Sequence, residues 1–233
     1  YGIISSGLIW TIFLAGVSLI IAFSLGTLLG VTIAWNRGGK LDSILPPSLA
    51  FLGAFPYFWL AMLALYLFGF KLDWFPLGHA YSNTVTPGLN WPFIASSIHH
   101  ATLPALTMIF VSLGGWMLSM RNTMISTLGT DYISYAHAKG LSSKLIMIRY
   151  AARNAILPNF TGFGMALGYV LSGAILTEII FSYPGQGYLL MQAVLAQDFP
   201  LMQGLFMTIT LAVLTANWFV DIAILIFDPR TRK

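Results

Sequence analysis

The chain has 233 residues, 58% of them hydrophobic and 8% charged, with a formal net charge of +4 and a mean hydropathy of +0.81. Soluble domains carry about a quarter charged residues, so this composition excludes an ordinary soluble enzyme or a nucleic-acid-binding module and points to an all-α polytopic membrane protein. Cysteine is absent, which excludes disulfides, thiolate nucleophiles and cysteine metal sites.

The first residue is Tyr1, and an apolar run follows almost at once with no charged leader; a further span is therefore expected before it. Crossing about 30 Å of hydrocarbon takes about 20 helical residues. Five segments are long enough: Leu8–Trp35, Ile44–Phe70, Ala101–Met120, Ile156–Phe181 and Gly204–Phe227. In the first, Gly26-x-x-x-Gly30 permits close helix contact. Between the second and third, residues 71–100 are rich in Trp, Phe, Tyr, Pro and Gly, as in a structured interfacial segment. Between the fourth and fifth, residues 182–203 open on a turn at Pro184-Gly185 and continue as a short amphipathic stretch. Asp198 before Phe199-Pro200 then suits a helix start, since Pro is tolerated in a first turn.

Ten of the eleven Lys and Arg residues fall in the 36–43 connection, the 121–155 connection and the tail; the other connections hold only Lys71. That bias predicts the basic segments in the cytoplasm and residues 71–100 and 182–203 outside.

Catalytic patterns are missing. Gly39-Lys40 is followed by Leu41, so there is no phosphate-cradling loop of the Walker type. No H-E-x-x-H, G-x-S-x-G or close carboxylate pair occurs. His99 and His100 are neighbours, about 100° apart on a helix and a poor chelate, so no metal site is expected. Glu178, near the outer end of the fourth span, and Asp221, inside the fifth, are ionisable groups at membrane depth. Such groups face a pathway or a polar partner. Asn217, one turn before Asp221, is placed to hydrogen-bond it. These three are the gate or pathway candidates, with an interfacial acid and a satisfied interhelical pair as the alternative readings.

The 121–155 connection is more organised than topology requires. Thr130 is placed to cap a short helix from Asp131 to about Lys139, which Gly140 ends. Ser142 is placed to cap a second, on which Leu145, Ile148, Ala152 and Ala155 form an apolar stripe at helical spacing, with Lys144, Arg149 and Arg153 off it.

This stretch resembles the cytoplasmic coupling loop of permease subunits in binding-protein-dependent ABC importers, in their oligopeptide and dipeptide branch. The resemblance rests on Ala138-Lys139-Gly140-Leu141 and on Arg153-Asn154-Ala155-Ile156-Leu157-Pro158. It extends to Leu103-Pro104-Ala105-Leu106, to Glu178 with Phe181-Ser182-Tyr183-Pro184-Gly185-Gln186-Gly187, to Asp198-Phe199-Pro200, and to Asn217, Asp221 and Asp228-Pro229-Arg230. The family's Glu-Ala-Ala opening reads Tyr135-Ala136-His137 here.

The resemblance implies a type I ABC importer transmembrane domain with five spans in residues 1–233 and a coupling loop at 121–155. It implies a non-catalytic subunit without a cofactor, forming half of a translocation pathway. Its implied partners are a second homologous permease subunit, two ATP-binding subunits that hold ATP and Mg, an external solute-binding protein and membrane lipid. The implied ATPase-coupling residues are Asp131, Tyr135, Ala136, Ala138, Lys139, Gly140, Leu141, Arg149 and Arg153. Oligopeptides or dipeptides are the implied substrates, with nickel or oligosaccharide still open. A secondary transporter is the other class; it would need inverted repeats and a midplane ion site, and neither is legible.

Overall fold

The computed structural model describes residues 2–227, except the side chains at 168–173, 220 and 223–227. The Asp228-Pro229-Arg230 motif and the basic tail lie outside the described residues. Helix α1 spans Gly2–Trp35, with a wider π-type turn at Ile12–Gly16. Helices α2 and α3 are Lys40–Gly53 and Tyr57–Lys71, and α4 is Trp91–Leu128. Helix α5 is Asp131–Ala138. Helix α6 covers residues 143–173 and includes a π-type stretch at Ile146–Ala152. Helices α7, α8 and α9 are Ile175–Ile180, Gln186–Leu195 and Phe199–Phe227. No strand occurs among the described residues.

Helices α1 and α4, and α9 over Phe199–Phe219, are long and apolar enough to cross a membrane; α2 and α3 together add a fourth if they form one span. The helices therefore do not bear out five uninterrupted spans. The expected segment Ile44–Phe70 is broken, and its halves are bent by 95°. The cause is local: Pro56 has an extended ψ of 125°, and a proline pushes the residue before it out of the helical region. The expected segment Ile156–Phe181 is also two helices, because α6 stops at Gly173 and α7 starts at Ile175. Conversely, α4 runs for 38 residues, or about 57 Å at 1.5 Å per residue. It extends well beyond the expected Ala101–Met120, since hydropathy marks the apolar middle of a helix and not its polar ends.

The chain divides into two compact units. The first comprises Tyr1–Leu19, Phe55–Ile109 and Ala166–Phe219. Its core is Leu14, Ala61, Ala80, Ala101, Leu103, Phe181 and Tyr183, with Trp10, Phe68, Phe75 and Tyr81 packed on it. The indole of Trp10 stacks on Tyr81 at 6.1 Å and meets the edge of Tyr183 at 5.8 Å. Part of the aromatic wealth of residues 71–100 is thus spent inside the protein. The two neighbouring histidines are spent on backbone: His99 Nε2 meets the Trp74 carbonyl oxygen and His100 Nδ1 that of Ser96.

The second unit comprises Ile20–Ala54, Phe110–Met165 and Val220–Lys233. Its core is Ala34, Met120, Met124, Ile133, Ala136, Ile146, Ala151 and Ala155. The expected close contact at Gly26 and Gly30 is present. A Cβ on Gly26 would lie 2.6 Å from Trp116 Cβ, and one on Gly30 2.7 Å from the Met117 carbonyl oxygen. Backbone-to-helix contact of α1 on α4 therefore needs both glycines. Asn159 on α6 donates to Thr27 Oγ1 at 3.1 Å, tying α1 to α6. Arg121 pairs with Asp42 at 2.7 Å.

Candidate functional site

Helix α5 is short, exposed on one side and closed at both ends by backbone geometry. The expected side-chain cap does not form. The Thr130 hydroxyl donates instead to the Thr127 carbonyl at 2.6 Å, and the Thr130 carbonyl accepts the N–H groups of Ile133 and Ser134. Ser142 likewise makes no side-chain cap. At the other end, the Gly140 N–H donates to the His137 carbonyl, and the Leu141 N–H to that of Ala136. This is the paired bonding of a Schellman motif, which needs a left-handed residue. Gly140 supplies it with φ +71°.

Ile133 and Ala136 are buried in the second unit's core, and Leu141 packs against it. Ala136 therefore faces inward, while Asp131, Tyr135, Ala138, Lys139 and Gly140 are exposed. Tyr135 is 69% exposed. Lys139, Arg149 and Arg153 are also exposed. The ion pair formed among the described residues is Arg121–Asp42, and it includes none of these three cations.

The second expected short helix is not separate. From Ser143 the chain winds directly into α6. The expected stripe is displaced too. Ile148 is 50% exposed, while Ile146, Ala151 and Ala155 are buried. The spacing of five from Ile146 to Ala151 is one π-type turn, which carries an extra residue and rotates the inward face. Asn154, at the end of this stretch, donates to Tyr132 Oη on α5 at 3.2 Å and to the Tyr150 carbonyl at 2.9 Å.

Glu178 is fully buried in the first unit. Its Oε1 accepts from the Thr11 hydroxyl at 2.6 Å. Its Oε2 accepts from the N–H groups of Gly187 at 2.7 Å and Tyr188 at 3.3 Å. Thr11 Oγ1 in turn accepts the Gln186 N–H at 2.9 Å. The carboxylate thus occupies the N-terminus of α8, where free N–H groups and the helix dipole favour a negative charge. Gly185 packs directly on the carboxylate, with no room for a Cβ. Beside it, Tyr57 Oη accepts the Thr177 N–H at 2.9 Å. One acid therefore joins α1, α7 and α8. Thr11 gave no sequence signal, because its partner lies 167 residues away.

Asn217 is half-buried and Asp221 exposed; the hydrogen bond expected between them is not formed among the described residues. Asp198 meets its expectation, since Oδ1 accepts the Leu201 N–H at 3.1 Å at the start of α9. No group of three or more His, Asp or Glu is placed to hold a metal ion among the described residues.

A family model described as "Binding-protein-dependent transport system inner membrane component" matches residues 26–233. The chain belongs to this family. It is a multi-pass inner-membrane permease subunit of an ABC importer. The permease is similar to a putative peptide permease protein of Brucella suis, 34% identical over 99% of this chain and 71% of that protein. It is similar also to the di/tripeptide transport system permease protein DppB of Pseudomonas aeruginosa, 32% identical over 95% of this chain and 70% of that one. A probable D,D-dipeptide transport system permease protein, DdpB of Escherichia coli, is 34% identical over 94% of this chain and 69% of its own length. In the permease, Ala138-Lys139-Gly140-Leu141 falls at the exposed end of α5, residues 153–158 on α6, and residues 181–187 beside the Glu178 cluster.

Proposed function

We propose that this permease forms half of the pathway of an importer for oligopeptides or dipeptides, and that α5 is the element its ATPase partner grips. The substrate class is supported by the similarity to proteins named for peptide and dipeptide transport. The coupling role is supported above all by one observation: α5 presents Tyr135, Ala138, Lys139 and Gly140 outward while Ile133 and Ala136 root it in the unit's core. A short helix rooted by one face in a packed core moves with that core when its other face is pushed. Its neighbours Arg149 and Arg153 add cationic contacts for acidic groups on the partner.

The assembly has a second permease subunit, two ATP-binding subunits that hold ATP and Mg, and an external solute-binding protein. ATP-driven closure of the two ATPases moves α5 and shifts the permease between inward-open and outward-open states. Asn217 and Asp221 line the pathway. Glu178 acts at the gate through α8, which its carboxylate holds, and does not itself meet substrate.

The test is purification of the tagged permease expressed with its neighbouring transport genes. An ATPase should co-purify, and vesicles reconstituted with the complex and loaded binding protein should hydrolyse ATP faster and accumulate a dipeptide. Uptake driven by an ion gradient with no ATPase present would overturn the reading.

A further inference from the structure

Between α4 and α6, in the second unit, lies an open groove of about 490 Å³. Its polar lining is Asn122, Thr123, Ser126 and Thr127 from α4, and Asn154 and Thr161 from α6. No Lys, Arg, Asp or Glu lines it.

The protons of these groups are already committed. Thr123 donates to the Ser119 and Met120 carbonyls, Ser126 to Asn122 and Thr127 to Thr123. Thr161 donates to the Leu157 carbonyl. Asn154 spends its amide N–H groups on Tyr132 Oη and the Tyr150 carbonyl. Each of these side chains is left with oxygen lone pairs and no spare proton; Asn122 alone keeps an amide N–H to offer. Pro158, also in the lining, has no N–H, so the Asn154 carbonyl lacks its usual helical donor. Apart from the Asn122 amide, the groove is a surface of uncharged acceptors.

We propose that this groove is a transit subsite for the N–H donors of a peptide, its α-ammonium and backbone amides, and that Asn154 connects it to α5. The proposal rests on the peptide reading above. The chemistry suits passage. Acceptors without charge receive an ammonium or amide hydrogen bond but do not trap it as a carboxylate would, and conduction needs a site that binds and also releases. They also discriminate little between side chains, because every peptide carries the same backbone donors. Asn154 uses its amide on Tyr132 of α5, so a ligand drawing on Asn154 Oδ1 pulls on the same side chain that holds the coupling helix.

The chain has no cysteine, so Ser126→Cys in the assembled importer gives a single thiol in the groove. Alanyl-alanine should slow its alkylation by N-ethylmaleimide several-fold. O-propionyl-lactate, the same skeleton with no N–H, should not. In vesicles, Thr127→Val should lower the maximal uptake rate several-fold without changing the KM for external peptide, and Thr127→Ser should restore it. Uptake of dipeptide with Ser126→Cys unprotected, or protected equally by both compounds, would overturn the subsite and leave the peptide reading standing. Wild-type vesicles that accumulate no dipeptide overturn both.

Discussion

At Gly140 a single backbone angle tests the proposed coupling role of α5. Its φ of +71° lies in the left-handed region, and nothing lies within 4 Å of where a Cβ would stand. Substitution therefore strains the backbone and does not create a clash within the chain. Left-handed geometry costs an L-residue about 1–2 kcal/mol, whereas Asn visits it readily. Gly140→Asn should retain most of the ATPase stimulation by loaded binding protein, and Gly140→Leu should lose it while the subunit still inserts. Equal loss in both would show that volume at the surface matters and φ does not. Glu178 is the opposite case, an acid with no freedom. Thr11→Val leaves Oε1 and the Gln186 N–H without their partner, which costs about 1–3 kcal/mol at a buried site. Glu178→Ala instead orphans the Thr11 hydroxyl and the Gly187 and Tyr188 N–H groups and should lower the thermal midpoint in detergent further. An unchanged midpoint in both variants would mean that α8 is held by something else.

Among the elements, the π-type stretch in α6 decides which residues anchor α5. A regular helix would place Leu145, Ile148, Ala152 and Ala155 on one face; the structure buries Ile146, Ala151 and Ala155. Ala151→Leu should force extra volume into a packed core and cost about 1–3 kcal/mol, read as a lowered midpoint and reduced coupling. Ile148→Gln, at a half-exposed position, should leave the midpoint within about 0.5 kcal/mol of wild type. The reverse ranking would restore the regular helix. Sequence periodicity places Ala155 correctly but misses Ile146 and Ala151 and misplaces Ile148, because it assumes a constant 100° per residue and the wider turn breaks that phase. The helix ends were legible where chemistry is local, as at Asp198 and Gly140. They were not legible at Thr130, whose hydroxyl found a closer carbonyl behind it.

For the whole molecule the main expectation is sidedness. The distribution of Lys and Arg predicts residues 71–100 outside and 121–155 inside. Asn83 and Ser143 are both exposed, and the chain has no native thiol to confuse the result. Single cysteines there should react with an impermeant maleimide from opposite faces of intact cells. Labelling of both from outside would overturn the topology and, with it, the placement of α5 against a cytoplasmic ATPase.

Composition and short motifs determined that this is a helical membrane protein and that its motifs are those of the binding-protein-dependent permease family. Those features are local: hydropathy is summed residue by residue, and a motif is read at contiguous positions. Tertiary structure alone decided that Ala136 turns inward, that Glu178 closes on Thr11 and the start of α8, and that the hydroxyls of α4 and α6 share one groove. Each depends on residues far apart in the chain, brought together by helix breaks at Pro56 and Gly173 and by a wide turn at Ile146–Ala152, and no window along the sequence contains both partners.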